Sequence, residues 1–204
     1  AGWAAALFVL KALPCLAETE SYCSPETLGR YPGGWPSSLD WGIYWFGPND
    51  QTEKAVPGQT SHFYDPKKST LIYFHGWTGG HGGMTQVCKR ITTRCLGTLC
   101  PQGGGQLLAE RWLQAGWNVG FFYWDQFADE ACPRDAEQKV WFDRGGDGLR
   151  WKSFDVATGT SEYRDYEADD ASSVTDLCVR AVHEALGQHA APHVRFVGHS
   201  VGAQ

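Results

Sequence analysis

The chain has 204 residues, 42% of them hydrophobic and ten of them tryptophan, which excludes a disordered polypeptide and suffices for the core of one domain. Its formal charge is −6 and its longest basic runs are the pairs Lys67-Lys68 and Lys89-Arg90, so nucleic acid and anionic membrane surfaces are not expected as partners. No internal repeat or low-complexity tract is present.

Ala4 to Leu16 is mostly apolar, interrupted by Lys11, and runs through Cys15-Leu16-Ala17 into the polar Glu18-Thr19-Glu20. This is the layout of an h-region followed by a small-residue cleavage site, so residues 1–17 are read as a signal peptide and the protein as secreted or lumenal. The competing reading is a buried apolar segment. The stretch is too short to span a bilayer, and no transmembrane anchor is expected. Cleavage would leave Cys23, Cys88, Cys95, Cys100, Cys132 and Cys178, an even six able to form up to three disulfides in an oxidising compartment, with the pairing open. Cys178 reads equally as a buried thiol on a helix face. No C-x-x-C pair occurs, and no metal or other cofactor is expected.

Leu39, Trp41, Ile43 and Trp45 alternate through an early strand that ends at Gly47-Pro48-Asn49-Asp50. Thr70 to Phe74 is a continuous apolar, β-rich run, as a strand covered on both faces requires. About thirty residues later, Leu107, Leu108, Arg111, Trp112 and Ala115 share a helical stripe that Gly116 can close. Trp117 to Trp124 is the next strand, ending at Asp125. The excursion from Gln126 to Asp170 contains Val140-Trp141-Phe142 and Leu149-Arg150-Trp151 around a Gly-rich turn, which predicts a β-hairpin. Val174, Leu177, Cys178, Ala181, Val182, Ala185 and Leu186 then repeat at helical spacing, with Ser173 and Asp176 as a capping box and Gly187 as a stop. Val194 to Val197 is the final strand. This alternation of strand and helix predicts an α/β fold: a mostly parallel sheet with helices on both faces.

Two motifs carry chemistry. Gly198-His199-Ser200-Val201-Gly202 directly follows the last strand, and Ala203-Gln204 can begin a helix. That is the setting of a nucleophile elbow, where a strained strand-to-helix turn lifts a serine Oγ clear of the sheet and glycines admit close backbone. His75-Gly76-Trp77-Thr78-Gly79-Gly80 follows the buried strand, where a Gly-rich turn can present a second N–H to an oxyanion. Asp125 precedes the serine and is read as structural. His199 is adjacent to Ser200 and would point away from its Oγ. His183, His189 and His193 lack H-E-x-x-H spacing and are read as surface or helix-end residues, not as a metal cluster.

The run Ser61 to Trp77 resembles the approach to the oxyanion loop in α/β-hydrolases of the pancreatic-lipase type, and Gly198 to Gln204 resembles that family's elbow, where leucine is more usual than Val201. The similarity covers roughly residues 60–125 and 163–204. It implies Ser200 as nucleophile and the N–H groups of Trp77 and Val201 as the oxyanion hole, with His75, Gly76, Gly198, His199 and Gly202 as supporting loop residues. It also implies the triad order Ser, then Asp or Glu, then His, which puts the acid and the histidine beyond Gln204 and not in this chain. Residues 18–204 are then the N-terminal part of a single α/β-hydrolase domain whose further strands follow, and this portion alone is expected to be inactive. The expected function is hydrolysis of a carboxylic ester or lipid through an acyl-enzyme. The alternatives are a thioesterase or amidase, or a non-catalytic binding protein of the same fold. Oligomeric state is not readable.

Overall fold

The structure is a computed structural model that describes residues 38–48, 51–77, 108–141, 149–155, 160–167, 171–187 and 189–204. The expected signal peptide (residues 1–17), the cysteines Cys23, Cys88, Cys95 and Cys100, and Thr78 to Gly80 of the second motif lie outside the described residues.

Among the described residues the main sheet has five strands: β1 (Gly42–Phe46), β2 (Thr52–Lys54), β3 (Thr70–Phe74), β4 (Asn118–Tyr123) and, last of them, β7 (Val194–Gly198). Their order is β2-β1-β4-β3-β7. β3 runs parallel to β4 and to β7, whereas β1 runs antiparallel to both β2 and β4. A second sheet pairs β5 (Arg150–Asp155) with β6 (Thr160–Asp165), antiparallel. Among the described residues there are four α-helices: α1 (Leu108–Gln114), α2 (Asp125–Ala128), α3 (Pro133–Trp141) and α4 (Val174–Leu186).

This overturns the expected α/β-hydrolase fold with its mostly parallel sheet. Among the described residues the main sheet is mixed, with only two parallel pairs, and the few helices do not fit that architecture. The cause is local. The short connection between β1 and β2 forces an antiparallel pair, since parallel neighbours need a long crossover. Apolar alternation in β1 marks a strand but carries no information about its direction.

The expected hairpin within 140–151 is also corrected. Val140 and Trp141 close helix α3, and the strand at Arg150 pairs with Thr160–Asp165 instead, in the register Arg150↔Asp165. Pro133 at the first helical position presets φ and forfeits no hydrogen bond there, and Ala136, Glu137, Gln138 and Lys139 are good helix formers.

Both faces of β1, β3 and β4 are covered, whereas every residue of β7 is exposed. On one face Ile43, Trp45, Ile72 and Phe122 pack with Phe127 of α2 and Leu177 and Ala181 of α4. On the other, Tyr44, Phe46, Leu71, Tyr73, Val119 and Phe121 pack against Ala109 of α1 and its neighbours Trp112 and Leu113. Successive residues of β1, β3 and β4 serve opposite faces, and both sets are apolar. Helix α4 begins at the expected Ser173–Asp176 pair: Ser173 Oγ accepts from the Asp176 N–H at 3.1 Å, and the Asp176 carboxylate accepts from the N–H of Ser172, one residue before the cap, at 3.0 Å. The turn that closes helix α1 reaches Gly116, whose φ of +81° suits glycine and whose N–H donates to Leu113 O at 2.9 Å.

Candidate functional site

Parallel pairing puts the C-terminal ends of β3 and β7 side by side, in the register Phe74↔Gly198. The loop His75-Gly76-Trp77 and the turn His199-Ser200 therefore leave the sheet at the same edge. Backbone ties them immediately, as the His199 N–H donates to Phe74 O at 3.0 Å. The chain then folds into a 3₁₀ turn over Ser200–Ala203, with Gly202 N–H returning to His199 O at 3.0 Å.

Ser200 opens that turn at φ +56°, the only positive φ of a non-glycine among the described residues. A left-handed conformation costs an L-residue about 1–2 kcal/mol and persists only where its surroundings enforce it. Here they do. A Cβ added at Gly202 would meet His75 O at 2.3 Å, and one at Gly198 would meet Gly202 O at 2.4 Å, so the turn is pressed onto the end of β3. Across the cleft, a Cβ at Gly76 would lie 2.7 Å from Ser200 Cβ and 3.1 Å from Ser200 Oγ. Only a bare backbone fits between them. Ser200 is solvent-exposed, while the next residue, Val201, is buried and belongs to the cluster that includes Ile72, Trp124 and Leu177. The buried Val201 side chain anchors the turn and leaves Ser200 outside.

His75 is 1% exposed, and its hydrogen bonds fix its tautomer. The Trp124 N–H donates to Nε2 at 3.1 Å, so Nε2 carries no proton, and Nδ1–H donates to Gly76 O at 2.8 Å. Trp124 also donates its indole N–H to His75 O at 2.8 Å and stacks on the imidazole with centroids 5.5 Å apart. Among the described residues every peptide is trans, so a Gly76 carbonyl held by His75 turns the Trp77 N–H to the opposite side of the same peptide plane. His75 is thus both a packed core residue and a clamp on the loop facing Ser200.

Trp77 is half-buried and donates its indole N–H to Glu130 O at 2.6 Å. Glu130 belongs to a buried ionic cluster for which the sequence carried no periodic or motif signal. Arg150 grips its carboxylate with two hydrogen bonds of 3.0 and 2.9 Å, and Lys139 pairs with it from α3. Burial alone would raise the Glu130 carboxyl, but hydrogen bonds from Arg150 and Lys139 and the Lys139 charge hold it below its ordinary value. Burial depresses the Lys139 ammonium, against the hydrogen bond and charge of Glu130. Lys152 lies 3.7 Å from Asp129. Tyr163 donates to Asp129 O at 3.1 Å, and burial followed by the Glu130 charge raises its hydroxyl pKa.

An apolar groove of about 870 Å³, lined in part by Phe74, Trp124, Cys178 and Phe196, meets the turn at Gly198, Val201 and Gly202. Cys178 is a free thiol that burial pushes up to about 12, which keeps it protonated and inert. Asp125 is fully buried at the start of α2. His189 meets the Tyr64 hydroxyl at 3.1 Å, and the His193 carbonyl accepts from the Thr70 N–H at 2.9 Å. Among the described residues, no His, Cys, Asp and Glu side chains group to hold a metal ion, and no helix is long and apolar enough to cross a membrane.

Ser200, Gly76, Trp77 and His75 are therefore brought together at one edge of the sheet, with Gly198, Val201 and Gly202 shaping the turn beneath them. Among the described residues, no side chain hydrogen-bonds to Ser200 Oγ. Compared with known protein families, with curated proteins and with solved structures, the chain matches none.

Proposed function

We propose that the protein is a serine hydrolase that cleaves carboxylic esters through an acyl-enzyme on Ser200. The observation that carries this reading is the backbone of Ser200. A φ of +56° on a serine, at the end of a parallel strand and hemmed by backbone at Gly76 and Gly202, is strain concentrated on one exposed hydroxyl. Such strain has a chemical use, because it presents Oγ to a carbonyl carbon and leaves the following N–H free of a strand ladder. The sheet order does not support the reading; the local geometry does, together with the resemblance of residues 60–125 and 163–204 to lipases of the pancreatic type.

In this mechanism Ser200 Oγ attacks the ester carbonyl carbon. The C=O electrons move onto oxygen, and the serine proton passes to a general base outside the described residues. The N–H groups of Trp77 and Val201 donate to the resulting oxyanion, Trp77 on a peptide whose carbonyl His75 already holds. Collapse breaks the bond to the alkoxy oxygen, which takes the proton from the base and leaves as the alcohol. Water then gives a proton to the base and attacks the acyl carbon, and the second collapse returns that proton to Ser200 Oγ as the acid leaves. No cofactor takes part. Thioesters and amides would enter by the same attack, so turnover of matched ester, thioester and amide substrates defines the class.

The test is ester hydrolysis by the full-length protein and by Ser200→Ala. Loss of the nucleophile should lower kcat by several orders of magnitude, on the order of 10⁴-fold or more. Equal turnover by both proteins would overturn the proposal.

A further inference from the structure

We propose that the buried cluster of Glu130, Arg150 and Lys139 is a positioning device for the loop facing Ser200, acting through the Trp77 indole to hold the Trp77 backbone N–H in place. The inference rests on the reading of Ser200 as nucleophile and Trp77 as an oxyanion donor.

The contact between cluster and loop is a single short hydrogen bond, from Trp77 Nε1 to Glu130 O at 2.6 Å. A carbonyl can orient an indole only if the carbonyl itself is fixed. Glu130 is fixed from two elements at once. Its side chain is 1% exposed, with Arg150 of β5 forked onto the carboxylate and Lys139 of α3 paired to it. The same Lys139 ammonium donates to Phe127 O at 3.0 Å and to Arg150 O at 2.7 Å, which ties α2, α3 and β5 to one point. From β6, Tyr163 lies beneath Arg150, with the guanidinium 4.1 Å from the ring centroid, and its hydroxyl reaches Asp129 O.

Buried charges seldom add stability over apolar side chains of equal volume, because desolvation offsets their attraction. What a forked, buried ion pair supplies is a defined position. Here that position is transmitted to one side chain of the loop. The loop is then held at two points: His75 fixes the Gly76 carbonyl, and the Glu130 carbonyl fixes the indole one residue later. The two-stranded sheet β5–β6, otherwise remote from the turn at Ser200, becomes its brace. Glu130, Arg150 and Lys139 are positioning residues, since none of them touches the reacting atoms.

The test is a double-mutant cycle in the full-length protein with Trp77→Phe, which removes the indole N–H and keeps an aromatic ring, and Arg150→Gln. Each single change should lower kcat about tenfold to a hundredfold, the cost of a misplaced oxyanion donor, with KM within about twofold. The double variant should be no worse than the more damaged single, within about twofold, because both changes act through the same indole. Amide hydrogen exchange at residues 75–77 should quicken in both singles. Losses that multiply in the double variant, or unchanged exchange at residues 75–77, would overturn the assignment. If Arg150→Gln fails to fold, Trp77→Phe decides alone, since it leaves the ion cluster whole, and wild-type kcat in that variant would overturn the proposal. Wild-type protein without ester turnover would overturn the Ser200 reading and this inference with it, an outcome distinct from the others because they require an active wild type.

Discussion

Gly202→Ala tests the packing of the turn on the end of β3. The added methyl would sit 2.3 Å from His75 O and 2.6 Å from Phe74 O. Carbon and oxygen approach comfortably to about 3.3 Å, so about 1 Å must be recovered by moving backbone. Neither oxygen can yield freely, since His75 O accepts from the Trp124 indole and Phe74 O from the His199 N–H. Overpacking costs about 1–3 kcal/mol, and a backbone obstacle places this case near about 3 kcal/mol. For a chain of this size that lowers Tm by about 6–12 °C. The same shift of about 1 Å beside Ser200 should slow phosphonate labelling about a hundredfold. The control is Gly58→Ala, where φ is +75° but nothing lies within 4 Å of the new methyl. It should cost only the left-handed backbone term, about 1–2 kcal/mol, and leave labelling unchanged. Calorimetry and labelling kinetics on the three proteins suffice. If Gly202→Ala melts within about 2 °C of wild type and labels at the same rate, the turn is not pressed onto β3 and the strain argument fails.

Ser200→Gly should abolish hydrolysis while raising stability. Relief of the positive φ returns about 1–2 kcal/mol and the extra unfolded-chain entropy of glycine removes about 0.5–1 kcal/mol, a net gain of up to about 1.5 kcal/mol readable in urea unfolding. Acid should weaken the fold through Glu130, whose carboxyl is held below its ordinary 4.5 once folded. The unfolded chain then binds the proton first, so this contribution is complete above that value and is lost as pH falls through the lower folded value. Urea midpoints measured between neutral and acidic pH should fall less steeply for Glu130→Gln than for wild type below pH 4.5; parallel curves would exclude Glu130 as the source.

The helix α4 was legible because its signal is local: a capping pair, a 3.6-residue stripe and a glycine stop all lie within fifteen or so residues. The strands β3, β4 and β7 were legible as apolar runs for the same reason. Strand direction was not, because pairing of β1 against β4 joins Gly42 to Tyr123 through contacts that no local pattern encodes, and a sheet expected to be mostly parallel proved mixed. Val140 and Trp141 misled because an apolar pair bordering a Gly-rich stretch suits a hairpin or a helix end equally, and Pro133 upstream decided for helix. At the candidate site, the juxtaposition of Gly76 with Ser200 follows from two motifs at the ends of adjacent strands. The Glu130 cluster could not be foreseen, since Lys139, Arg150 and Tyr163 come from three elements and none carries a spacing that marks it as buried.

The most direct test of the central claim is covalent labelling of the full-length protein with a fluorophosphonate, followed by mapping of the modified peptide. Phosphonylation requires an activated serine and an oxyanion site together. The geometry predicts one equivalent of label, carried by Ser200 and lost in Ser200→Ala. Label on another residue, or no label on a protein that still hydrolyses esters, would contradict it.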